Sequence, residues 1–197
     1  MISEQVQNIV LNYIEDLKKS EFPSDRYYTR FLTWVKIEGD LATIGVNMIL
    51  VCLFAPLVEV IYPKVPVRVG VDTPCIWIRH RDGILSIRSP AKGNLFEVNE
   101  KILIEPDILN KDPYFSGWLF KIELDKGENL RWLMDHVEFG EFFNSKLDKL
   151  RKEVTRFLDK YFSDGLVIQN DGPAVMTLKE ILGSKRYFAI AKAVFGL

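Results

Sequence analysis

Residues Ile76 to Pro90 read IWIRHRDGILSIRSP, two short runs on either side of Asp82-Gly83. Asp-Gly is a strong two-residue hairpin signal, because a type I′ turn needs positive φ at both central positions. The spacing predicts a hairpin with Arg81 opposite Ile84, Arg79 opposite Ser86 and Trp77 opposite Arg88. Those six residues share one face, basic with one aromatic. Ile76, Ile78, His80, Leu85 and Ile87 share the other, which is apolar and suits a core. A Trp77–Arg88 cation–π pair is expected on the outer face.

Outward from the hairpin, the chain from Tyr28 to about Ile122 keeps the signals of short strands. Residues 33–46 (TWVKIEGDLATIGV) alternate and turn at Glu38-Gly39-Asp40, and residues 57–70 (LVEVIYPKVPVRVG) are rich in β-branched side chains and punctuated by Pro63 and Pro66. Many short strands at short spacing predict a small barrel or sandwich. Residues 3–19 repeat apolar side chains at helical spacing (Val6, Ile9, Val10, Tyr13, Ile14, Leu17), with Ser3 as N-cap. From about Gly127 the pattern is helical again, with Leu147, Leu150, Val154, Phe157, Leu158 and Tyr161 on one face. Asp164-Gly165 ends that helix, the apolar run GLVIQ follows, and Asp171-Gly172-Pro173 marks a turn. Two short helices are expected at roughly 175–182 and 184–195, broken at Gly183. The expected organisation is an N-terminal helix in 1–24, a β-rich domain in 25–143 and a helical extension in 144–197.

The 197 residues carry a net charge of −1 and are 48% hydrophobic, enough to bury a core without staples. That balance supplies no whole-chain case for nucleic acid or a membrane surface. Cys52 and Cys75 are expected to be buried thiols, and with only His80 and His136 no zinc spacing is available. The longest apolar run, Met48 to Val58, is shorter than the ~20 residues of a spanning helix, and Pro56 interrupts it. The opening residues lack a basic segment before an apolar core, so a cytoplasmic location is expected. An all-round apolar segment needs a cover, either from the N-terminal helix or the C-terminal helices of the same chain or from a partner or dimer contact.

The segment Ser89–Leu124 resembles the glycine cleavage system H protein family. The residues that carry the likeness are Ser89, Pro90 and Gly93; Val98, Asn99 and Glu100; Asn110, Asp112, Pro113 and Tyr114; and Gly117, Trp118 and Leu119. Upstream, Tyr28, Thr29, Trp34, Val35, Gly39, Asp40, Ala42, Thr43 and Gly45 match the family's opening strands. The likeness runs without a gap from about Tyr28 to Phe120, and more loosely to Phe143. It implies an α+β fold, a lipoyl-type barrel-sandwich hybrid of two small antiparallel sheets, with the N-terminal helix and C-terminal helices as additions. It also implies a job, in which a lysine at one hairpin tip carries lipoate and shuttles an intermediate between partner enzymes.

Counting back from Ser89, the resemblance places that lysine at Asp82. The family's Glu-Ser-Val-Lys-Ala reads Arg79-His80-Arg81-Asp82-Gly83, and its His-Glu-Trp reads Leu32-Thr33-Trp34. Lipoate is attached as an amide, which needs an amine, and a carboxylate is an acceptor only. No lysine lies between Lys64 and Lys92, and Arg79 reverses the charge of the family's tip glutamate. The expected function is therefore a non-catalytic H-protein-like scaffold or regulatory partner with no cofactor and no metal. Its partners would be proteins of a lipoate-linked or glycine-cleavage-related complex, or a second copy of itself. The alternatives are a carrier modified at an unusual lysine, Lys92 being nearest, and an anion or small-ligand module. Trp77, Arg79, His80, Arg81 and Arg88 are the candidate binding residues. Asp107 and Asp112 are expected to make turn hydrogen bonds.

Overall fold

The computed structural model describes residues 4–163 and 177–197. Its elements are α1 (Glu4–Lys18), β1 (Tyr27–Tyr28), β2 (Thr33–Glu38), β3 (Leu41–Val46), α2 (Met48–Phe54), β4 (Glu59–Ile61), β5 (Val67–Val69) and β6 (Pro74–His80), then β7 (Gly83–Arg88), β8 (Gly93–Val98), α3 (Glu100–Ile104), α4 (Ile108–Lys111), β9 (Trp118–Leu124), α5 (His136–Ser163), α6 (Leu178–Leu182) and α7 (Ser184–Phe195). They fall into two compact units, one of Met1–Glu21 with Phe142–Val194, the other of Phe22–Glu141 with Phe195–Leu197.

The second unit holds the nine strands of the described residues. They form a six-stranded antiparallel sheet in the order β1-β2-β3-β9-β8-β5 and a three-stranded antiparallel sheet β4-β6-β7. The architecture is an α+β sandwich of two sheets and not a closed barrel. Gly39, at φ +64°, makes the β2–β3 turn, with Glu38 opposite Leu41. Ile44, Leu95, Phe120 and Ile122 of the large sheet and Ile76, Ile78, Leu85 and Ile87 of the small one are fully buried. Gly45 lies flat on Trp34, where a Cβ would stand 2.5 Å from the indole. The same indole N–H donates to the Pro113 carbonyl at 2.9 Å.

Most of the apolar run at 48–58 is buried within the chain, while Cys52, Pro56 and Val58 are exposed. Asn47 caps α2, its side-chain oxygen accepting from the Leu50 amide at 3.1 Å. Ile49, Leu50, Val51, Leu53 and Phe54 are buried, and α4 packs against the helix. Cys75 is buried as expected, but Cys52 is exposed. It occupies the one position of Ile49–Phe54 that points outward, so its apolar neighbours in sequence did not mean burial.

Asp112 builds the loop that follows α4. Its carboxylate accepts from the Phe115 amide at 3.2 Å and the Ser116 amide at 2.8 Å, and its carbonyl accepts from Gly117 at 2.8 Å. The Ser116 amide holds the Asp112 carboxyl below the usual carboxylate range. Such a group stabilises the fold above its unfolded pKa and stops doing so as the pH falls through its lowered folded value. Asp112→Ala is expected to cost about 1 kcal/mol at neutral pH, and almost nothing in acid below both values. Urea denaturation at the two pH values measures the difference. Asp107 instead pairs with Lys111 at 2.7 Å and Asn110 at 3.0 Å.

In the first unit, α1 buries Val6, Val10, Ile14 and Leu17, and α5 buries Phe143, Leu147, Leu150, Val154 and Leu158, each set at helical spacing. Phe157 is half-buried. Tyr13 and Tyr187 share a hydroxyl–hydroxyl hydrogen bond, and Lys18 bridges Glu15 and Asp148. Helix α5 begins at His136, later than the Gly127 from which the sequence pattern predicts helix and earlier than the clear apolar stripe, the residues before it forming turns and loop. A capping box sets the start, with Asp135 accepting from the Val137 and Glu138 amides while Glu138 accepts from the Asp135 amide. Gly183, at φ +75°, separates α6 from α7. The Ser3 cap, the Tyr161 side chain, the stop at Asp164-Gly165, the GLVIQ run and the Asp171-Gly172-Pro173 turn lie outside the described residues. Among the described residues no helix is long and apolar enough to cross a membrane.

Candidate functional site

The β6–β7 hairpin is present, but its turn is one residue earlier than the Asp-Gly signal suggests. His80 pairs with Gly83, Arg79 with Ile84, Ile78 with Leu85 and Trp77 with Ser86. The two turn residues are Arg81 and Asp82, and neither Asp82 nor Gly83 has positive φ, so the turn is not type I′. The cause is local. The Nδ1 of His80 accepts the Asp82 amide at 3.0 Å, a side-chain bond that closes the turn around Arg81. Moving a two-residue turn by one position moves every cross-strand partner by two. Faces therefore survive while partners change. Ile76, Ile78, Leu85, Ile87 and His80 are buried, and Arg79, Arg81 and Ile84 are exposed.

The candidate residues do not form one cluster. Arg79 is opposite Glu59 of β4 and pairs with it at 2.9 Å. Arg81 reaches Asp82 at 3.3 Å. Arg88 stands at the far end of β7, roughly 17 Å from the turn at strand rise. There its guanidinium donates to the Asp72 carbonyl at 2.8 Å and lies 5.4 Å from the centre of the Phe31 ring. Arg88 thus stacks on Phe31 and not on Trp77, whose neighbours across the strands are Ser86 and Ile61. His80 faces the core, away from the arginines. Glu59 and Phe31 were invisible as partners in the sequence, because the register of β4 and the path of the 29–33 loop are non-local. Leu32 of that loop and Thr33 at the start of β2 are fully buried, and the Thr33 and Thr29 hydroxyls share a hydrogen bond at 2.6 Å.

The hairpin does not fit an attached lipoyl group. β6, its turn and β7 contain no lysine, and the turn offers the Asp82 carboxylate, 16% exposed beside His80. Lys92 is exposed at the head of β8 in the other sheet, one strand of ~20 Å beyond the tip. Cys75 offers no thiolate chemistry at the hairpin base, since burial pushes its thiol up to about 12.

The family described as Glycine cleavage H-protein matches residues 26–146. The glycine cleavage system H protein of Marinobacter nauticus is 34% identical over 124 residues, covering 62% of this chain and 95% of that one. That of Methylacidiphilum infernorum is 28% identical over 124 residues, covering 63% and 97%. The crystal structure of a glycine cleavage system H protein from Mycobacterium marinum aligns with a TM-score of 0.56 at 26% identity, over 61% of this chain and 97% of that one. The match spans well over half of the chain and takes in nearly the whole two-sheet unit, so the chain belongs to the glycine cleavage H-protein family.

Proposed function

We propose that this chain is a non-catalytic member of the family that carries no lipoate and acts as a scaffold or regulatory protein-binding partner in the cytoplasm. One observation carries the reading: the hairpin turn consists of Arg81 and Asp82. A carboxylate cannot form the amide that a carrier needs, so the change removes the chemistry and does not merely slow it. The sandwich around the turn is intact, as expected of a domain kept for its surface. Its partners on this reading are proteins of a lipoate-linked or glycine-cleavage-related complex, or a second copy of the chain. The outer face of β4-β6-β7 supports such docking. It presents Trp77 beside Ile61 and the Arg79–Glu59 pair, a composition typical of interface centres. The Glu59 and Asp72 contacts of Arg79 and Arg88 weigh against a dedicated anion pocket on the hairpin.

Intact-mass spectrometry of the full chain co-expressed with a lipoate ligase is expected to show no added mass. A lipoyl adduct on any lysine overturns the proposal, and its loss in Lys92→Arg would assign the adduct to Lys92. A pull-down in which Trp77→Ala reduces capture of a glycine-cleavage component, with the fold intact, supports the docking face.

A further inference from the structure

Among the described residues the sandwich has four edge strands, and three of them are blunted. β1 is two residues long, and Met134 bridges it at Tyr28. β4 and β5 have three residues each, with Glu59 and Arg68 exposed on them and Pro63 and Pro66 close by. Short length, charge and proline all discourage a further strand from pairing. β7 differs: it ends the order β4-β6-β7, runs for six residues, and has neither charge nor proline before Arg88. Its backbone also faces outward. His80 and Gly83 close a two-residue turn and so exchange both backbone bonds. Alternation leaves Trp77 and Ser86 as a pair without mutual bonds, and the Ser86 N–H and C=O point away from β6. The Arg79 carbonyl has the same phase, accepting from the Val58 amide on the β4 side at 3.0 Å. Arg88 turns outward like Ser86, because the next residue, Ser89, donates its amide across the hairpin to the Thr73 carbonyl at 2.8 Å. Among the described residues the N–H and C=O groups of Ser86 and Arg88 have no partner. The Arg88 side chain, the one charge on the strand, is held by the Asp72 carbonyl and the Phe31 ring. Nothing on this edge therefore selects a charged foreign strand, and its closest complement is an identical strand.

We propose that two copies of this chain pair antiparallel along β7, with Ser86 on the two-fold axis. In that register each Ser86 faces its own counterpart, and their N–H and C=O groups exchange two bonds. Arg88 of each copy lies opposite Ile84 of the other, so no like charges meet. The contact is the same patch on both copies and occupies the β7 edge of each, so assembly stops at two. The inference takes up the second-copy partner of the proposed function and gives it a surface. A monomeric chain that also shows no added lipoyl mass overturns this inference alone.

The test is sedimentation equilibrium of the full chain from about 5 to 500 µM, a span suited to an interface below standard size. A monomer–dimer equilibrium is expected. Ser86→Glu and Ser86→Lys each set like charges together at the axis, and each should weaken the dimer about tenfold or more. An equimolar mixture of the two variants should associate again, as it does only where residue 86 meets itself. Ser86 contributes no bond to the β6 ladder, so both variants should fold, which circular dichroism checks. If either unfolds, amide exchange of the unmodified chain decides: the Ser86 and Arg88 amides should exchange more slowly as concentration rises, and unchanged exchange overturns the proposal. A monomer throughout, a dimer indifferent to both variants, a mixture that stays apart, or protection of Ser86 only when a glycine-cleavage component is added would each overturn it too.

Discussion

Gly93→Ala is expected to destabilise the sandwich by about 3 kcal/mol or more, enough to leave much of the chain unfolded. A Cβ at this position would stand 2.2 Å from the Glu123 carbonyl oxygen and 2.5 Å from Ile122 Cγ2. The first of these neighbours is backbone, so no side-chain rotation relieves it. Gly93 pairs with Leu124 of β9 on one side and Val69 of β5 on the other. Any shift that makes room opens a ladder. Gly140→Ala is the control: the residue lies in α5, its Cβ would meet nothing within 4 Å, and its φ is negative. That change should be neutral or stabilise by about 0.5–1 kcal/mol. The urea midpoint should fall in Gly93→Ala and stay level or rise in Gly140→Ala. A Gly93→Ala chain within 1 kcal/mol of the parent, an order-of-magnitude threshold for an ordinary substitution, would mean that the β8–β9 ladder does not have this spacing.

The second large effect is expected at Arg26. Its side chain is 3% exposed and makes a two-point contact with Asp25, Nε to one carboxylate oxygen at 2.7 Å and Nη2 to the other at 3.0 Å. Nη1 donates to the Tyr114 carbonyl at 2.7 Å. The guanidinium lies 4.8 Å from the centre of the Trp34 ring, 5.3 Å from that of Tyr114 and 5.6 Å from that of Phe115. It ties the start of β1 to the loop that Asp112 builds. Arg26→Met keeps much of the stem but removes the charge and the donors. The expected loss is about 2–3 kcal/mol, mostly from the orphaned carbonyl and the vacated ring faces. Asp25 is half exposed and can return to water, so the ion pair itself adds little. Asp25→Asn should therefore cost well under half as much. Arg26 also holds the Asp25 carboxyl below its usual range, through their hydrogen bond. That stabilisation is present above the unfolded carboxylate pKa and is lost as the pH falls through the lowered folded value. Arg26→Met should therefore flatten the acid limb of the stability profile. Equal losses in the two variants would transfer the effect from the rings and the carbonyl to the ion pair.

The legible parts of this protein were those with a local cause or a dense motif. The family motifs between Tyr28 and Phe120 sufficed for the sandwich, and the breaks at Gly39 and Gly183 followed from positive φ that glycine supplies cheaply. The start of α5 was legible too, in Asp135-x-x-Glu138, but only to a reading that looked for a cap ahead of the apolar stripe. The hairpin was half legible. Alternation sorted its residues onto the correct faces, while the Asp-Gly rule misplaced its turn, because a two-residue signal does not include the His80 ring that closes the loop.

What the sequence determined by itself is the chemistry available at the hairpin: atoms that are not encoded cannot be supplied by folding, and no amine is encoded between Lys64 and Lys92. What only the tertiary structure decided is how each charge is spent. Arg79 faces Glu59 because β4 pairs with β6 in one register, Arg88 meets Phe31 because a loop some sixty residues upstream passes its strand, and Cys52 is exposed because the rest of its helix is covered. Partners such as these are brought together by long-range pairing and packing, whose energies depend on the whole core and leave no mark in the neighbouring residues.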